Sequence, residues 1–277
     1  MMNLALTRKF GETGMTDTGS QVATQPPLLK IENLSVAYGP VLALQNVSLT
    51  LPGSGFVGVI GPNGAGKSSL LKGLLGMVPT GGTVSIAGKS LAHARLRISY
   101  VPQRSEVRWD FPVTVEEVVM MGRYKHIGWV KFPGKEDRRI VAETLEQVGM
   151  TEFRQRQIGQ LSGGQQQRVF VARALAQQGD IMLLDEPLTG VDTTSQEVII
   201  NLLERLRDQG KLIIMATHDL NATSRECDLV ACINHRLVAF GPPAEVFKPE
   251  ILAETYGGNV LTVAVGNTPD GQTVIIQ

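Results

Sequence analysis

The 277-residue chain can form one large domain or two small ones, and its hydrophobic fraction of 43% can fill a sizeable core. Its 26 basic and 26 acidic side chains cancel, which argues against nucleic acid as the main partner, because neutralising phosphates requires a surplus of Lys and Arg. Neither a membrane-spanning apolar run nor a signal-peptide pattern is recognisable, and Cys227 and Cys232 fit no common zinc spacing, so we expect a reducing, cytoplasmic environment.

The first half of the chain predicts a short leader followed by β-structure. Residues 1–27 are rich in Thr, Gly, Ser and Gln without apolar periodicity, which predicts a disordered leader. Strand patterns follow at 28–37 and 41–51, and a third occupies 84–88 after Gly81-Gly82, which we interpret as a turn. These strands predict an antiparallel layer that brackets the segment described next.

A glycine-rich loop lies between an apolar run, Phe56 to Ile60, and a helical pattern that starts near Ser69. It reads G-x-x-x-x-G-K-S, the phosphate-binding pattern, in the required order of strand, loop and helix. Its backbone N–H groups can converge on phosphate, Lys67 can reach the β- and γ-phosphates, and the Ser68 hydroxyl suits Mg²⁺. The predicted nucleotide-binding residues here are Gly61, Pro62, Asn63, Gly64, Ala65, Gly66, Lys67, Ser68 and Ser69.

The next region changes character. A strand pattern at 98–101 ends just before Gln103, and residues from about 104 to 160 predict a mostly helical subdomain inserted into an α/β core. Within it, Thr114 and Glu117 have the spacing of a capping box, and 136–148 has helical periodicity.

Two fully apolar runs, 181–184 and 212–216, predict buried parallel strands that end in chemically useful residues. Ligands of open α/β sheets bind beyond the carboxyl ends of the strands. We therefore expect Asp185 to hold Mg²⁺, Glu186 to accept a proton from an attacking water, and His218 to contact the γ-phosphate. Gln103, at the end of another strand, can ligate Mg²⁺ or position water.

The remaining elements are a helix at 195–207, a hairpin of 229–233 with 236–240, and a helix at 245–256. Strand-like runs follow between residues 260 and 277. None of these four segments carries a motif of its own.

A second helix start with anion-binding character lies at Leu161-Ser162-Gly163-Gly164-Gln165. Ser162 and Gln165 form a capping-box pattern, and the glycines expose backbone N–H groups at the positive end of a helix. One chain thus carries two phosphate-binding helix starts. A triphosphate on Lys67 of one copy can be covered by Ser162 of another, which predicts ATP-dependent dimerisation.

These residues, in this order, closely resemble the nucleotide-binding subunit of ABC transporters over roughly residues 28–250. The matching positions are Tyr38, Gly61–Ser68, Gln103, Leu161–Gln165, Ile181–Glu186, Val191-Asp192 and His218. The resemblance implies an α/β, RecA-like P-loop NTPase core with an antiparallel β subdomain and an inserted α-helical subdomain, followed by a C-terminal extension at 251–277. It also implies that Tyr38 stacks on adenine, that Ser162–Gln165 is the signature loop, and that Asp192 links the two sites of the dimer.

The resemblance further implies a head-to-tail dimer of two copies that hydrolyses ATP with Mg²⁺ at the cytoplasmic face of the inner membrane. A polytopic permease would be its partner and an extracytoplasmic solute-binding protein an indirect one. Residues 107–114 and 120–129 look like ATPases of bacterial metal-cation importers, with manganese as the first candidate and zinc, iron or an iron chelate as alternatives. Exposed aromatic and methionine side chains there suit a groove for a permease helix.

A soluble ABC protein acting on DNA or ribosomes is the competing hypothesis. DNA-repair members need a long coiled coil, and the interval from Gln103 to Leu161 has no sustained heptads. Ribosome-acting members carry two cassettes in one chain, whereas this sequence has one. A nucleotide-gated scaffold without turnover is disfavoured by the presence of Glu186 and His218.

Overall fold

A computed structural model describes residues 28–128 and 130–257, in which ten strands form two sheets. The predicted leader at 1–27 and the predicted strands after residue 260 lie outside these described residues. The strands are β1 (Leu29–Tyr38), β2 (Val41–Leu51), β3 (Gly55–Ile60), β4 (Thr80–Ile86), β5 (Lys89–Ser90), β6 (Ile98–Val101), β7 (Ile181–Asp185), β8 (Leu212–Ala216), β9 (Leu229–Ile233) and β10 (Leu237–Gly241).

The first sheet has the order β2-β1-β4-β5 and is antiparallel throughout, which confirms the predicted antiparallel layer. The prediction of a turn at Gly81-Gly82 is wrong, because β4 begins at Thr80 and includes both glycines. Gly82 has a φ of 80° and faces a break in the β1–β4 register, where a Cβ would overlap the carbonyl oxygen of Asn33. The glycine therefore permits a bulge within the strand.

The second sheet has the order β10-β9-β3-β8-β7-β6. Its strands β9, β3, β8, β7 and β6 are parallel neighbours, and β10 closes the edge as the antiparallel arm of the predicted hairpin. Every residue of β7 and β8 is buried, as the apolar runs predicted. Because the strands run in parallel, β3, β6, β7 and β8 bring the segments that follow them to one edge of the sheet.

The described residues contain ten α-helices. They are α1 (Lys67–Leu74), α2 (Leu91–Ala94), α3 (Val115–Met120), α4 (Tyr124–Ile127), α5 (Lys135–Gln147), α6 (Gly163–Ala176), α7 (Thr193–Asp208), α8 (Leu220–Glu226), α9 (Pro243–Val246) and α10 (Pro249–Tyr256). The single helix predicted at 245–256 is wrong. Lys248 is extended and Pro249 opens a new helix, because proline disfavours helical geometry in the residue before it and fits the first helical position.

The segment from residue 104 to 160 contains α3, α4, α5 and four 3-10 turns, so helical residues make up most of it, as its pattern predicted. The predicted capping box is confirmed: Thr114 Oγ1 accepts from the Glu117 amide, and the Glu117 carboxylate accepts from the Thr114 amide at 2.8 Å. Helices α3 and α5 pack on α6. This packing connects the inserted segment to the helix that begins after Ser162.

Buried apolar side chains form two clusters, and the larger sheet contributes to both. One cluster joins that sheet to α3, α5, α6 and α7, and the other joins it to α1 and the antiparallel sheet. The carboxyl edge of the larger sheet is therefore packed from both faces.

Within the described segments, no helix combines the length and the apolar character that a membrane crossing requires.

Candidate nucleotide-binding site

The loop between β3 and α1 is fixed by close backbone contacts. The Ala65 carbonyl accepts a 2.8 Å hydrogen bond from the His235 amide, and the Gln45 amide donates to the His235 carbonyl at 2.7 Å. A Cβ at Gly61, whose φ is +153°, would overlap the carbonyl oxygen of Ile233. The tip of the β9–β10 hairpin and strand β2 therefore hold the loop, and only glycine fits at its first position.

Lys67 is buried although it is charged. It retains 5% of its accessible surface, and its ammonium group donates to the Gly61 carbonyl at 2.8 Å and to the Pro62 carbonyl at 3.2 Å. Burial lowers the Lys67 pKa from its ordinary value, while the carboxylates of Glu186 and Asp185 oppose that shift. The positive charge is thus held inside the loop, at the start of α1, where an anion would compensate it.

The Ser68 hydroxyl donates a 3.0 Å hydrogen bond to Oδ1 of Asp185, so the residue after the lysine meets the end of β7. Asp185 is completely buried and its Oδ2 atom has no hydrogen-bond partner among the described residues. Burial raises the pKa of this carboxyl group above its ordinary range. A buried carboxylate with an unsatisfied oxygen beside a serine hydroxyl matches the hard oxygen ligands that Mg²⁺ prefers, and these residues therefore fit that ion.

Glu186 follows Asp185 and projects from a strained backbone, with a φ of 47°. Its Oε2 atom accepts from Gln103 Nε2 at 3.3 Å and from Thr189 Oγ1 at 3.4 Å, and it lies 3.9 Å from Nδ1 of His218. The predicted residues at the ends of β6, β7 and β8 therefore converge on one carboxylate. This carboxylate is only partly buried, so water can reach it.

The predicted second helix start forms as expected. Ser162 Oγ accepts from the Gln165 amide at 3.3 Å, and the Ser162 amide donates to Gln165 Oε1 at 3.0 Å, which is a complete capping box at the start of α6. Ser162 is exposed. No hydrogen bond joins it to the Gly61–Ser68 loop within the described chain, so the two predicted phosphate-binding helix starts of one copy do not contact each other through Ser162.

Asp192 and Tyr38 occupy the flanks of the site. Asp192 is the N-cap of α7, its Oδ1 atom accepts from the Ser195 amide at 2.9 Å, and that hydrogen bond lowers the pKa of its carboxyl group. A Cβ at Gly164 would overlap the Asp192 carboxylate, so α7 begins against the signature segment. Tyr38 ends β1 and is 45% exposed, which leaves its ring available for stacking.

Three residues of the site escaped the sequence analysis. The Tyr100 hydroxyl is buried without a hydrogen-bond partner among the described residues, and burial, followed by the charge of Asp185, raises its pKa. Thr189 contacts Glu186, and Arg104 bonds to Gln166 at 3.1 Å. An isolated Tyr, Thr or Arg carries no spacing signal, and the position of Arg104 directly after Gln103 is the one feature of the sequence that could have indicated it.

Comparison with known proteins identifies the family. The model of the ABC transporter family matches residues 44–189. The manganese transport system ATP-binding protein MntB of Halalkalibacterium halodurans is 51% identical over 85% of this chain and 94% of its own. The chelated iron transport system protein YfeB of Yersinia pestis is 44% identical, covering 90% and 88%, and the zinc transport system ATP-binding protein TroB of Treponema pallidum is 41% identical, covering 87% and 91%.

Solved structures agree on the fold. An ATP-binding cassette in a dimeric post-hydrolysis state bound to ADP and Pi is 29% identical, with a TM-score of 0.67 over 78% of this chain and 98% of that chain. The cbiO1 subunit from Clostridium perfringens, part of the complex cbiONQ, is 27% identical, with a TM-score of 0.69 over 82% and 93%. The chain therefore belongs to the ABC transporter family, as one of its ATP-binding subunits, which hydrolyse ATP.

Proposed function

We propose that this chain powers a bacterial importer of manganese by hydrolysing ATP between two copies of itself. The observation that supports manganese most directly is 51% identity to a manganese transport ATP-binding protein over 85% of the chain. Zinc and chelated iron are second candidates, because relatives named for them are 41% and 44% identical. We place the ATPase domain at residues 28–250, with 104–160 as its helical subdomain and 251–277 as an extension.

The geometry supports a division of roles among the residues. Tyr38 stacks on the adenine, the Gly61–Ser69 loop surrounds the phosphates, and Lys67 exchanges its two loop carbonyls for phosphate oxygens. Ser68, Asp185 and Gln103 hold Mg²⁺, which neutralises charge on the phosphate oxygens when bound. Ser162, Gly163, Gly164 and Gln165 of a second copy cover the triphosphate with the N-terminus of α6.

The chemical step centres on Glu186. Its carboxylate takes a proton from the water that attacks the γ-phosphorus, and the bond to the ADP oxygen breaks. Gln103 and His218, at 3.3 and 3.9 Å from Glu186 Oε2, orient that water and sense the γ-phosphate. Loss of the shared γ-phosphate separates the copies, because Ser162 of one copy no longer has a ligand held by the other.

The permease is the proposed membrane partner. Phe111, Met121 and Tyr124 are 61%, 38% and 54% exposed, so they can receive an amphipathic cytoplasmic helix. Trp109, by contrast, packs internally on Phe170, with ring centroids 4.9 Å apart. Through that permease the subunit is placed at the cytoplasmic face of the inner membrane, and a solute-binding protein outside delivers the metal.

The proposal is tested by sequencing the genes beside that of this chain and co-expressing the chain with a multi-span membrane protein encoded there. We expect the two to co-purify and, in vesicles, to take up radioactive manganese with ATP, whereas a Glu186→Gln complex does not. If excess Zn²⁺ or Fe²⁺ suppresses the uptake of radioactive manganese more strongly than excess unlabelled Mn²⁺ does, that metal replaces manganese as the proposed cargo. Failure to co-purify with any membrane protein would contradict the transport role.

A further inference from the structure

The segment between α4 and α5 ends in an exposed apolar tip. Val130 and Phe132 are each 92% exposed, whereas the next most exposed large apolar side chain in the described chain, Met77, is 63% exposed. Two large apolar side chains this exposed, two positions apart, form a candidate interaction surface.

The same tip is positively charged. Lys125 and Lys131 line one open groove of about 480 Å³ together with Tyr124 and Phe132, and Lys135 begins α5 just beyond it. None of the three lysines makes an ion pair or hydrogen bond in the part of the chain that the structure describes. The chain as a whole has no net charge, so the positive excess formed by these three lysines is a local one.

The nearby carboxylates do not neutralise the lysines. Glu136 is bound to Arg139 at 2.6 Å, and Asp137 is bound to Arg123 at 3.1 Å and accepts from the Gly134 amide at 3.0 Å. The charges that remain uncompensated around the tip are therefore positive. A partner of complementary charge is anionic.

We propose that the tip formed by residues 130–133, with Lys125 and Lys135, binds an anionic lipid bilayer, Val130 and Phe132 entering the headgroup region while the lysines contact lipid phosphates. Val130 and Phe132 are almost fully exposed beside an open groove, which suits insertion into a fluid layer. Phenylalanine and aliphatic side chains of peripheral membrane segments enter the headgroup boundary, and each lysine near an anionic surface strengthens binding about five-fold. The inference rests on the proposed peripheral location of the subunit, and it adds a direct lipid contact to the one made through the permease.

The test uses the purified full-length chain without permease, nucleotide or transported metal. It is sedimented with vesicles of equal phosphatidylglycerol and phosphatidylcholine, and with vesicles of phosphatidylcholine alone, at low salt. We expect binding to the anionic vesicles, lost at high salt, and weakened at least about ten-fold in a Val130→Ser/Phe132→Ser variant. A Lys125→Gln/Lys131→Gln variant should lose roughly twenty-five-fold.

A matched control is the Met77→Ser/Leu96→Ser variant, which removes two exposed apolar side chains, 63% and 52% exposed, outside the tip. It should bind vesicles like the parent chain, and all variants should retain the parental ATPase rate. Equal vesicle binding by the parent and the Val130→Ser/Phe132→Ser variant overturns the proposal. Equal binding to neutral and anionic vesicles overturns its electrostatic part.

A tip that binds only the permease also overturns the lipid proposal; its signature is loss of co-purification in the Val130→Ser/Phe132→Ser variant without any vesicle binding by the parent. Failure of vesicle binding does not count against manganese transport, because the vesicle measurement uses neither the permease nor the transported metal. Failure of manganese transport, conversely, does not alter the vesicle result. The two proposals are therefore distinguishable.

Discussion

Arg104 donates a hydrogen bond of 3.1 Å from its Nη2 atom to Oε1 of Gln166. Gln103, its neighbour in sequence, contacts Glu186, whereas Gln166 lies in the second turn of α6 behind Ser162. The Arg104 carbonyl also accepts from the Trp109 indole at 3.0 Å. One side chain thus connects the loop beside the proposed general base with the helix that is proposed to reach the other copy's nucleotide.

We expect Arg104→Met to reduce the rate of ATP hydrolysis about ten-fold with little change in the Kd for ATP, since the bond orients a loop against helix α6 and touches no nucleotide. Gln166→Leu should have a similar effect, and the double variant should be no worse than either, giving a coupling of about 0.5–3 kcal/mol. Arg108→Met is the matched control, because Arg108 is exposed. Additive losses in the double variant would show that the two side chains act separately.

Tyr38→Ala should weaken ATP binding by roughly 5- to 150-fold, since base–aromatic stacking contributes about 1–3 kcal/mol. Tyr38→Phe should bind like the parent chain, because the ring, and not the hydroxyl, makes the proposed contact. GTP should be affected in parallel, as every base offers a face for stacking. Tyr124→Ala, which removes a similarly exposed tyrosine far along the chain, is the control in calorimetric titrations; an equal loss there would contradict the stacking role.

The sequence was most informative where residues repeat with a fixed spacing. The apolar runs of β7 and β8, the strand–loop–helix order around Lys67 and both capping boxes were predictable, because each depends on local backbone chemistry. The bulge at Gly82 was not, since the same two glycines also fit a turn, and only the register against β1 decides between them.

Contacts between distant segments were equally out of reach of the sequence. The hydrogen bond between Ser68 and Asp185 spans 117 positions, and that between Arg104 and Gln166 spans 62. Only the rule that parallel strands end at one edge of a sheet allowed Asp185, Glu186 and His218 to be grouped in advance. The orphaned oxygen of Asp185 depends on complete burial, which no pattern encodes.

Asp185→Asn should raise the melting temperature in the absence of Mg²⁺. It should also abolish the increase in melting temperature that Mg²⁺ with ATP causes in the parent. The folded-state pKa of Asp185 is raised by burial, so the protonated form favours folding below the ordinary carboxyl pKa, and that contribution is lost as the pH rises through the folded-state pKa. At neutral pH the parent therefore carries an unfavourable buried charge, and removing about 1–3 kcal/mol of such a penalty shifts the melting temperature by several degrees.

The measurement for Asp185 is a series of thermal melts between pH 4 and 8, with and without Mg²⁺ and ATP. The parent should lose stability with rising pH relative to Asp185→Asn, and Mg²⁺ with ATP should restore it in the parent only. Asp180→Asn serves as the control, because this carboxylate is partly exposed and paired with Arg97. A variant that melts lower than the parent in metal-free buffer would mean that the ionised carboxylate stabilises the fold.

Glu186→Gln should preserve ATP binding and slow hydrolysis by about 10²- to 10⁴-fold, because an amide cannot take the proton of the attacking water. The amide keeps the size of the side chain and can still accept from Gln103 and Thr189, so the site should stay folded. With the γ-phosphate retained, the variant should accumulate as a dimer that size-exclusion chromatography detects in Mg²⁺ and ATP. Glu197→Gln is the control: Glu197 is exposed and lines the same groove as His218, yet it lies outside the proposed chemistry. ATP turnover at the parental rate in Glu186→Gln would contradict the assignment of Glu186 as general base. A nucleotide-loaded variant that stays monomeric even with its permease would contradict the proposed pocket shared by Lys67 of one copy and Ser162 of the other.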